Sequence, residues 1–138
     1  SGHLFFNDGR WPGFDDGVYA GARILEILSR EADPSAALEA LPSAVNTPEL
    51  QIRMAEGENK AFIARLQKEA RFDDALDVIT IDGVRVEWND GFALARSSNT
   101  TPVVVLRLEG DTPEALERIK KTFAEVLLKV EPSLELPF

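Results

Sequence analysis

The segment Arg96-Ser97-Ser98-Asn99-Thr100-Thr101 sets an arginine in front of five small polar residues, and Pro102 ends the run. It offers a guanidinium, four hydroxyls, a side-chain amide and several backbone N–H groups within one turn. A phosphate dianion needs such donors, because the planar fork of arginine can bond two phosphate oxygens while hydroxyls and amides fix its orientation. The types and spacing of these residues therefore favour a phosphate-binding loop.

Two other interpretations of this run stay open at the level of composition. Serine, asparagine and threonine are ordinary turn residues that bond their own backbone, so the run is also typical of a tight polar turn. Asn99-Thr100-Thr101 matches the acceptor pattern for N-glycosylation. The first residues of the sequence lack the charged and apolar regions of a secretory signal, which argues against that modification.

The other chemically capable residues are weaker candidates. Asp15-Asp16 and Asp73-Asp74 resemble metal ligands, but acids at a helix start are stabilised by the dipole and acids in loops by water. We therefore predict no metal on this chain. His3 could be an auxiliary group for proton transfer or hydrogen bonding. We predict that Trp11 and Trp88 are packing anchors rather than platforms for a sugar ring.

Composition narrows the classes of partner. The 138 residues carry a formal net charge of -9. This charge argues against nucleic acid as a partner, because binding to a phosphate backbone needs a basic face. One histidine and no cysteines exclude a multi-histidine metal site and thiolate chemistry. The apolar runs are too short to cross a membrane. We predict a soluble cytoplasmic protein that binds neither nucleic acid nor membrane.

The elements that position the polar loop follow from the periodicity. A first helix is predicted from an N-cap at Asp15 or Asp16 to about Arg30, and a short one at 35–41 after Asp33. The rest of the chain predicts a helix at 57–71 and strands at 49–55, 78–81, 84–88, 92–95 and 103–109. Turns at Asp82-Gly83 and 89–91 separate three of these strands.

The last helix has the strongest signal in the sequence. Thr112 is a good N-cap, and Pro113 occupies the first helical position. One apolar stripe runs along it, formed by Leu116, Ile119, Phe123, Leu127 and Val130. Strands joined by tight turns between two helices predict an α+β fold, an antiparallel sheet with helices on one face. Three prolines within residues 31–48 mark the predicted domain boundary.

At the polar loop the sequence resembles the bacterial phosphomannomutase/phosphoglucomutase family of α-D-phosphohexomutases, whose C-terminal phosphate loop is close to R-x-S-N-T-x-P. Ser1-Gly2-His3 is similar to the end of the family's sugar-recognition motif, G-E-M-S-G-H, and FF, RW and GFDDG are similar to the segment after that motif. The resemblance continues in order through NTPEL, DGVRVEW and the closing PF. The Ser-Asn-Thr form favours the hexose branch over phosphoglucosamine mutases.

The resemblance implies a piece of a four-domain enzyme. Residues 1–46 would be the end of the third, sugar-recognition domain, a remnant of an α/β domain, and residues 47–138 the phosphate-binding fourth domain. Ser1 and His3 would then contact sugar, and the phosphate clamp would be Arg96, Ser98, Asn99 and Thr100. The family's phosphoserine motif, T-A-S-H-N, and Mg²⁺ motif, D-G-D-x-D-R, do not occur in this sequence. Mg²⁺ is therefore expected outside this chain, which would bind no cofactor itself.

The implied reaction is the interconversion of hexose 1-phosphate and 6-phosphate through a phosphoserine and a bisphosphorylated sugar. The partners expected are glucose 1-phosphate, mannose 1-phosphate, glucose 1,6-bisphosphate and the remaining domains of the parent enzyme. The chain alone is expected to bind a phosphosugar without turning it over. The alternative is a stand-alone α+β module for a small ligand or a protein partner, without catalysis.

Overall fold

The computed structural model describes residues 3–138, so the prediction for Ser1 lies outside the described residues. The chain forms two compact units that divide between Pro42 and Ser43. The first unit contains a hairpin and two helices: β1 (Phe5–Asp8), β2 (Trp11–Asp15), α1 (Gly17–Leu28) and α2 (Pro34–Glu39). Both predicted N-caps are present, because Asp16 accepts from Tyr19 N and Asp33 accepts from Ser35 N and Ala36 N.

The second unit is an antiparallel sheet with two helices. Its elements are β3 (Val45–Asn46), β4 (Leu50–Arg53), α3 (Glu58–Glu69), β5 (Asp77–Ile79), β6 (Val84–Trp88), β7 (Gly91–Ser97), β8 (Val103–Gly110) and α4 (Pro113–Val130). The strand order is β3-β8-β7-β6-β5, and β4 also pairs with β8. This is the predicted α+β architecture.

Strand alternation decides which face of the sheet is buried. In β6, Val84, Val86 and Trp88 are buried, whereas Arg85 and Glu87 on the opposite face are only half-buried. The buried side chains form one core with residues of α3 and with the predicted stripe of α4, namely Leu116, Ile119, Phe123, Leu127 and Val130. The cap of α4 is also as predicted, since Thr112 Oγ1 accepts from Ala115 N at 3.2 Å.

Two local features differ from the sequence pattern. Strand β7 continues to Ser97, because Arg96 pairs with Val105 and Ser97 pairs with Val104. Arg96 therefore lies on a strand, and the loop itself is reduced to residues 98–102. The connection between β5 and β6 spans residues 80–83 rather than Asp82-Gly83 alone, and Gln67 Nε2 donates to the carbonyls at both of its ends.

The start of the second unit is tied to its sheet. Val45 and Asn46 pair with the end of β8, and Thr47 N donates to the carbonyl of Leu108 at 2.9 Å. Leu108 N donates in turn to Thr47 Oγ1 at 3.2 Å. No helix between residues 3 and 138 is long and apolar enough to cross a membrane.

Candidate functional site

The loop between β7 and β8 brings the predicted phosphate-binding residues together. Arg96 follows Ala95, which is fully buried against the helices, so the arginine side chain lies on the opposite face of the sheet. The loop is closed by Ser98 N, which donates to the carbonyl of Val103 at 2.9 Å. Asn99 and Thr100 at its tip are exposed. Arg96 thus stands at the base of a short, closed turn whose tip is accessible.

The hydroxyl of Ser98 is the centre of the loop's own hydrogen bonds. Ser98 Oγ accepts from Thr100 N at 3.3 Å, from Thr101 N at 3.2 Å and from Thr101 Oγ1 at 2.9 Å. Thr100 Oγ1 lies 3.4 Å from the same atom. Two backbone N–H groups and a hydroxyl therefore converge on one oxygen, which is the donor arrangement that an anion oxygen requires. The turn-forming interpretation of these residues also holds, because the bonds are within the loop.

Asn59, which the sequence interpretation missed, supports the loop from its buried side. Its Nδ2 lies 3.1 Å from the carbonyl of Ser98, 3.4 Å from that of Thr101 and 3.3 Å from that of Val103. A signal was present in the sequence, since Asn59 occupies the same helical face as Phe62, Ile63 and Leu66, which are core residues. A polar residue in such a stripe indicates a buried hydrogen-bonding role.

The neighbourhood of Arg96 depends on Gly83. This glycine has φ +104°, and an added Cβ would lie 2.2 Å from the carbonyl oxygen of Ala95 and 2.8 Å from Arg96 Cβ. Only glycine permits that close approach. The carboxylate of Asp82 is 3.9 Å from Arg96 Nη1, and both side chains are substantially exposed. Arg96 therefore has a weak acidic neighbour that an incoming anion would replace.

Arg85 lies on the same face of the sheet but is engaged elsewhere. Its guanidinium carbon is 3.6 Å from the centroid of the Phe92 ring, and Nε donates to Glu87 Oε1 at 2.5 Å. The Arg85 side chain is half-buried. Its cation–π contact and its carboxylate partner satisfy the charge locally. Arg107, on the neighbouring strand β8, is exposed.

In the first unit, His3 pairs with Asp15, whose Oδ2 lies 2.5 Å from His3 Nδ1. Because a carboxylate only accepts, Nδ1 carries the proton, and the second ring nitrogen points away from this contact.

Trp11 stacks on Tyr19 with centroids 4.4 Å apart. Burial raises the pKa of the Tyr19 phenol, and the nearby carboxylate of Asp8 raises it further.

The acidic pairs do not assemble a metal site in the described chain. Asp16 caps α1, and Asp74 lies 3.8 Å from an Nη atom of Arg118. Among residues 3–138, no group of three or more histidine or acidic side chains could hold a metal ion. Of the two tryptophans, Trp88 is 6% exposed and packs in the hydrophobic core, as predicted for a packing anchor.

Comparisons with known proteins show the family of this chain. Residues 49–126 match the family model described as phosphoglucomutase/phosphomannomutase, C-terminal domain. The chain is 55% identical over 128 residues to a phosphoglucomutase of Neisseria gonorrhoeae, and the match covers 92% of this chain and 28% of the relative. A phosphomannomutase/phosphoglucomutase of Pseudomonas aeruginosa is 49% identical over 139 residues, covering all of this chain and 30% of the relative.

A solved structure shares the fold. It is the crystal structure of a phosphoglucomutase/phosphomannomutase family protein from Burkholderia thailandensis, with a TM-score of 0.90 and 58% identity. The superposition covers 99% of this chain and 28% of the crystallised one. The chain thus spans less than a third of the length of the relatives that it matches.

Proposed function

Because the chain belongs to the phosphoglucomutase/phosphomannomutase family and carries its C-terminal domain, we propose that it is the phosphate-clamping part of a hexose-phosphate mutase. Arg96, Ser98, Asn99 and Thr100 would hold the substrate phosphate that is not reacting. The observation that carries this proposal is the convergence of two backbone N–H groups and a hydroxyl on Ser98 Oγ, two residues after Arg96.

The chemistry of the reaction explains what such a clamp contributes. A mutase that exchanges phosphoryl groups between two ends of a sugar needs a site that holds either end in turn. Phosphoryl transfer gains most from positioning and from neutralised charge. Arg96 would supply the bidentate charged contact, and the loop donors would fix the orientation of the phosphate.

Ser98 must change its bonding when an anion arrives. Its hydroxyl oxygen accepts the N–H groups of Thr100 and Thr101. A phosphate oxygen would take over these donors, and the hydroxyl would turn to donate to the phosphate. In this proposal the Ser98 hydroxyl lies where a phosphate oxygen would bind, and it would become a ligand of the bound phosphate.

Turnover is assigned to the rest of the parent enzyme. The sequence lacks the phosphoserine motif of the family, and the described residues hold no metal-binding cluster. We propose that the full-length protein interconverts hexose 1-phosphate and 6-phosphate, that Mg²⁺ binds outside this chain, and that the other domains are its structural partners. A cytoplasmic location stays a prediction.

The sugar contacts proposed for Ser1 and His3 concern the first unit. The Asp15 carboxylate orients the His3 ring, which suits a group that donates or accepts a proton through its other nitrogen. We propose that Ser1 and His3 contact the sugar in the parent enzyme, and that His3 is an auxiliary group for proton transfer or hydrogen bonding there.

The test is an NMR titration of the chain with glucose 1-phosphate. We expect the amide signals of Ser98, Asn99 and Thr100 to shift, and the Arg96→Ala variant to lose about ten- to a hundredfold in affinity. That range corresponds to the roughly 1.5–3 kcal/mol of a charged hydrogen bond. No mutase activity should accompany binding.

The matched control is Arg85→Ala, which removes the same charge from a guanidinium already held by Glu87 and Phe92. Its affinity should stay close to that of the unsubstituted chain. Loop amides that do not move during the titration would refute the clamp. Mutase activity from the purified chain would refute the assignment of turnover to other domains.

The alternative of a stand-alone binding module is disfavoured by the comparisons, since the chain corresponds to 28–30% of proteins named as mutases. The intact mass of the natural gene product distinguishes the two. A parent chain about three times longer is expected from these fractions, and a product of 138 residues would favour the module.

A further inference from the structure

Asn59 is a polar residue that is buried, with 4% of its surface exposed. Among residues 3–138, the other buried side chains of the core are hydrophobic. Asn59 lies in the first turn of α3, and its single Nδ2 group reaches the carbonyls of Ser98, Thr101 and Val103. These carbonyls stand at the beginning and the end of the loop. One side chain of α3 therefore contacts both ends of the loop from its buried side.

The contact with Ser98 fixes the direction of a whole peptide group. The carbonyl of Ser98 and the N–H of Asn99 share one planar peptide, and the chain has no cis peptide bond among the described residues. In a trans peptide these two groups point in opposite directions. Because the Ser98 carbonyl points to the buried Asn59 side chain, the Asn99 N–H points away from it.

The loop is held in place by other bonds, so Asn59 is not needed for its attachment. Met54 N donates to the carbonyl of Pro102 at 3.0 Å, and Ser98 N donates to that of Val103 at 2.9 Å. These bonds fix the position of the hairpin end. What the Asn59 amide adds is the rotation of the Ser98–Asn99 peptide within a loop that is otherwise anchored.

We propose that Asn59 is a positioning residue for phosphate binding, which turns the Ser98–Asn99 peptide so that its N–H group faces the anion. The inference rests on the proposed function of the loop. Asn59 does not touch the ligand itself. It acts by pre-organising a donor, and a donor that already points at its acceptor loses less affinity to reordering.

The experiment compares the unsubstituted chain with the Asn59→Ala and Ile63→Ala variants, using glucose 1-phosphate as the probe. Ile63 is a buried residue one turn further along the same helix face, so its replacement controls for a loss of packing. We expect Asn59→Ala to bind about tenfold more weakly or worse. We expect Ile63→Ala, measured where it is folded, to bind within about twofold of the unsubstituted chain.

Amide hydrogen exchange supplies a readout that needs no ligand. Exchange at Ser98 N, whose bond to the Val103 carbonyl does not involve Asn59, should stay slow in both variants. Faster exchange in Asn59→Ala alone would mean that Asn59 attaches the loop and does not orient its peptide. Glucose 1-phosphate that binds Asn59→Ala as tightly as the unsubstituted chain overturns the role of Asn59. A lack of binding by the unsubstituted chain overturns the proposed function instead, so the two failures are distinct.

A measurement on the unsubstituted chain covers the case in which Asn59→Ala does not fold. The side-chain amide signals of Asn59 should shift during the titration together with the backbone signal of Asn99. The side-chain amide of Asn46, which donates to the carbonyl of Ala44 at 3.4 Å, is the internal control and should not move. An Asn59 signal that stays still while Asn99 shifts overturns the proposal.

Discussion

Among single residues, Asp82 opposes the proposed clamp, and its replacement by asparagine should strengthen phosphate binding. The Asp82 carboxylate lies 3.9 Å from Arg96 Nη1 and competes with an anion for the guanidinium. Exposed pairs of this kind are worth about 0.2–1 kcal/mol, so the affinity for glucose 1-phosphate should rise by up to about fivefold. Isothermal titration at low ionic strength measures the difference, because salt screens it.

Asp111→Asn is the control for this prediction. It removes the same charge just beyond the other end of β8, about 25 Å from the loop at the usual rise per strand residue. Its effect should be within experimental error of the unsubstituted chain. Equal gains from both substitutions would mean that net charge, rather than competition at Arg96, governs affinity.

The residue types of the loop indicated a phosphate site, but the partners of those residues could not be inferred from the sequence. Arg96, Ser98, Asn99 and Thr100 are close in sequence, so any tight turn brings them together. Asn59 is distant in sequence and meets the loop only because α3 packs on the sheet. Contacts of this kind depend on the tertiary structure, which a single sequence does not reveal residue by residue.

Among the secondary-structure elements, periodicity predicted the strands and helices of the second unit well, and it failed where a ladder continued through polar residues. Arg96 and Ser97 look like loop residues, yet they pair with Val105 and Val104 of β8. Strand pairing uses backbone groups, so polar side chains do not end it. This extension gives Arg96 a fixed direction on the sheet, because successive side chains alternate between faces.

The turn beside Arg96 should be sensitive to a side chain at Gly83. In Gly83→Ala, a Cβ would lie 2.2 Å from the carbonyl oxygen of Ala95, and the backbone φ of +104° is unfavourable for alanine. We expect a loss of about 1–3 kcal/mol in the free energy of unfolding and weaker binding of glucose 1-phosphate. Urea denaturation and the NMR titration measure the two effects.

Gly57→Ala separates the clash from the strain in the backbone. Gly57 also has a positive φ, +82°, but a Cβ there would meet nothing within 4 Å. Its replacement should cost only the strain, about 1–2 kcal/mol. If the two variants lose equal stability, the close approach of Gly83 to β7 is unimportant.

For the chain as a whole, the resemblance predicted two parts, and the exact division did not follow from composition. The prolines placed the boundary within residues 31–48 and the resemblance placed it at 46/47, while the compact units divide at Pro42/Ser43. Val45 to Thr47 belong to the second sheet through backbone bonds to the distant strand β8. Such bonds leave no mark in local sequence, so the assignment of residues 43–46 to one domain of the parent stays a prediction.

The isolated chain should self-associate through α1. This helix exposes an apolar stripe in which 85% of Val18 and 68% of Leu25 are accessible, with Ile24 and Ile27 also exposed. The relatives contain more than twice as much additional sequence, since this chain spans 28–30% of them. In its absence, we expect two copies to cover the stripe, because burying each large apolar side chain contributes about 1.5–3 kcal/mol.

Sedimentation velocity over a range of concentrations tests this association. Leu25→Lys should weaken it by about tenfold or more, which is the equivalent of one lost apolar contact. Ile81→Lys is the matched control, because Ile81 is 93% exposed but belongs to the β5–β6 connection of the second unit and not to α1. A chain that sediments as a monomer at all concentrations would contradict the prediction. Equal weakening by both substitutions would show that association depends on general surface hydrophobicity and not on the face of α1.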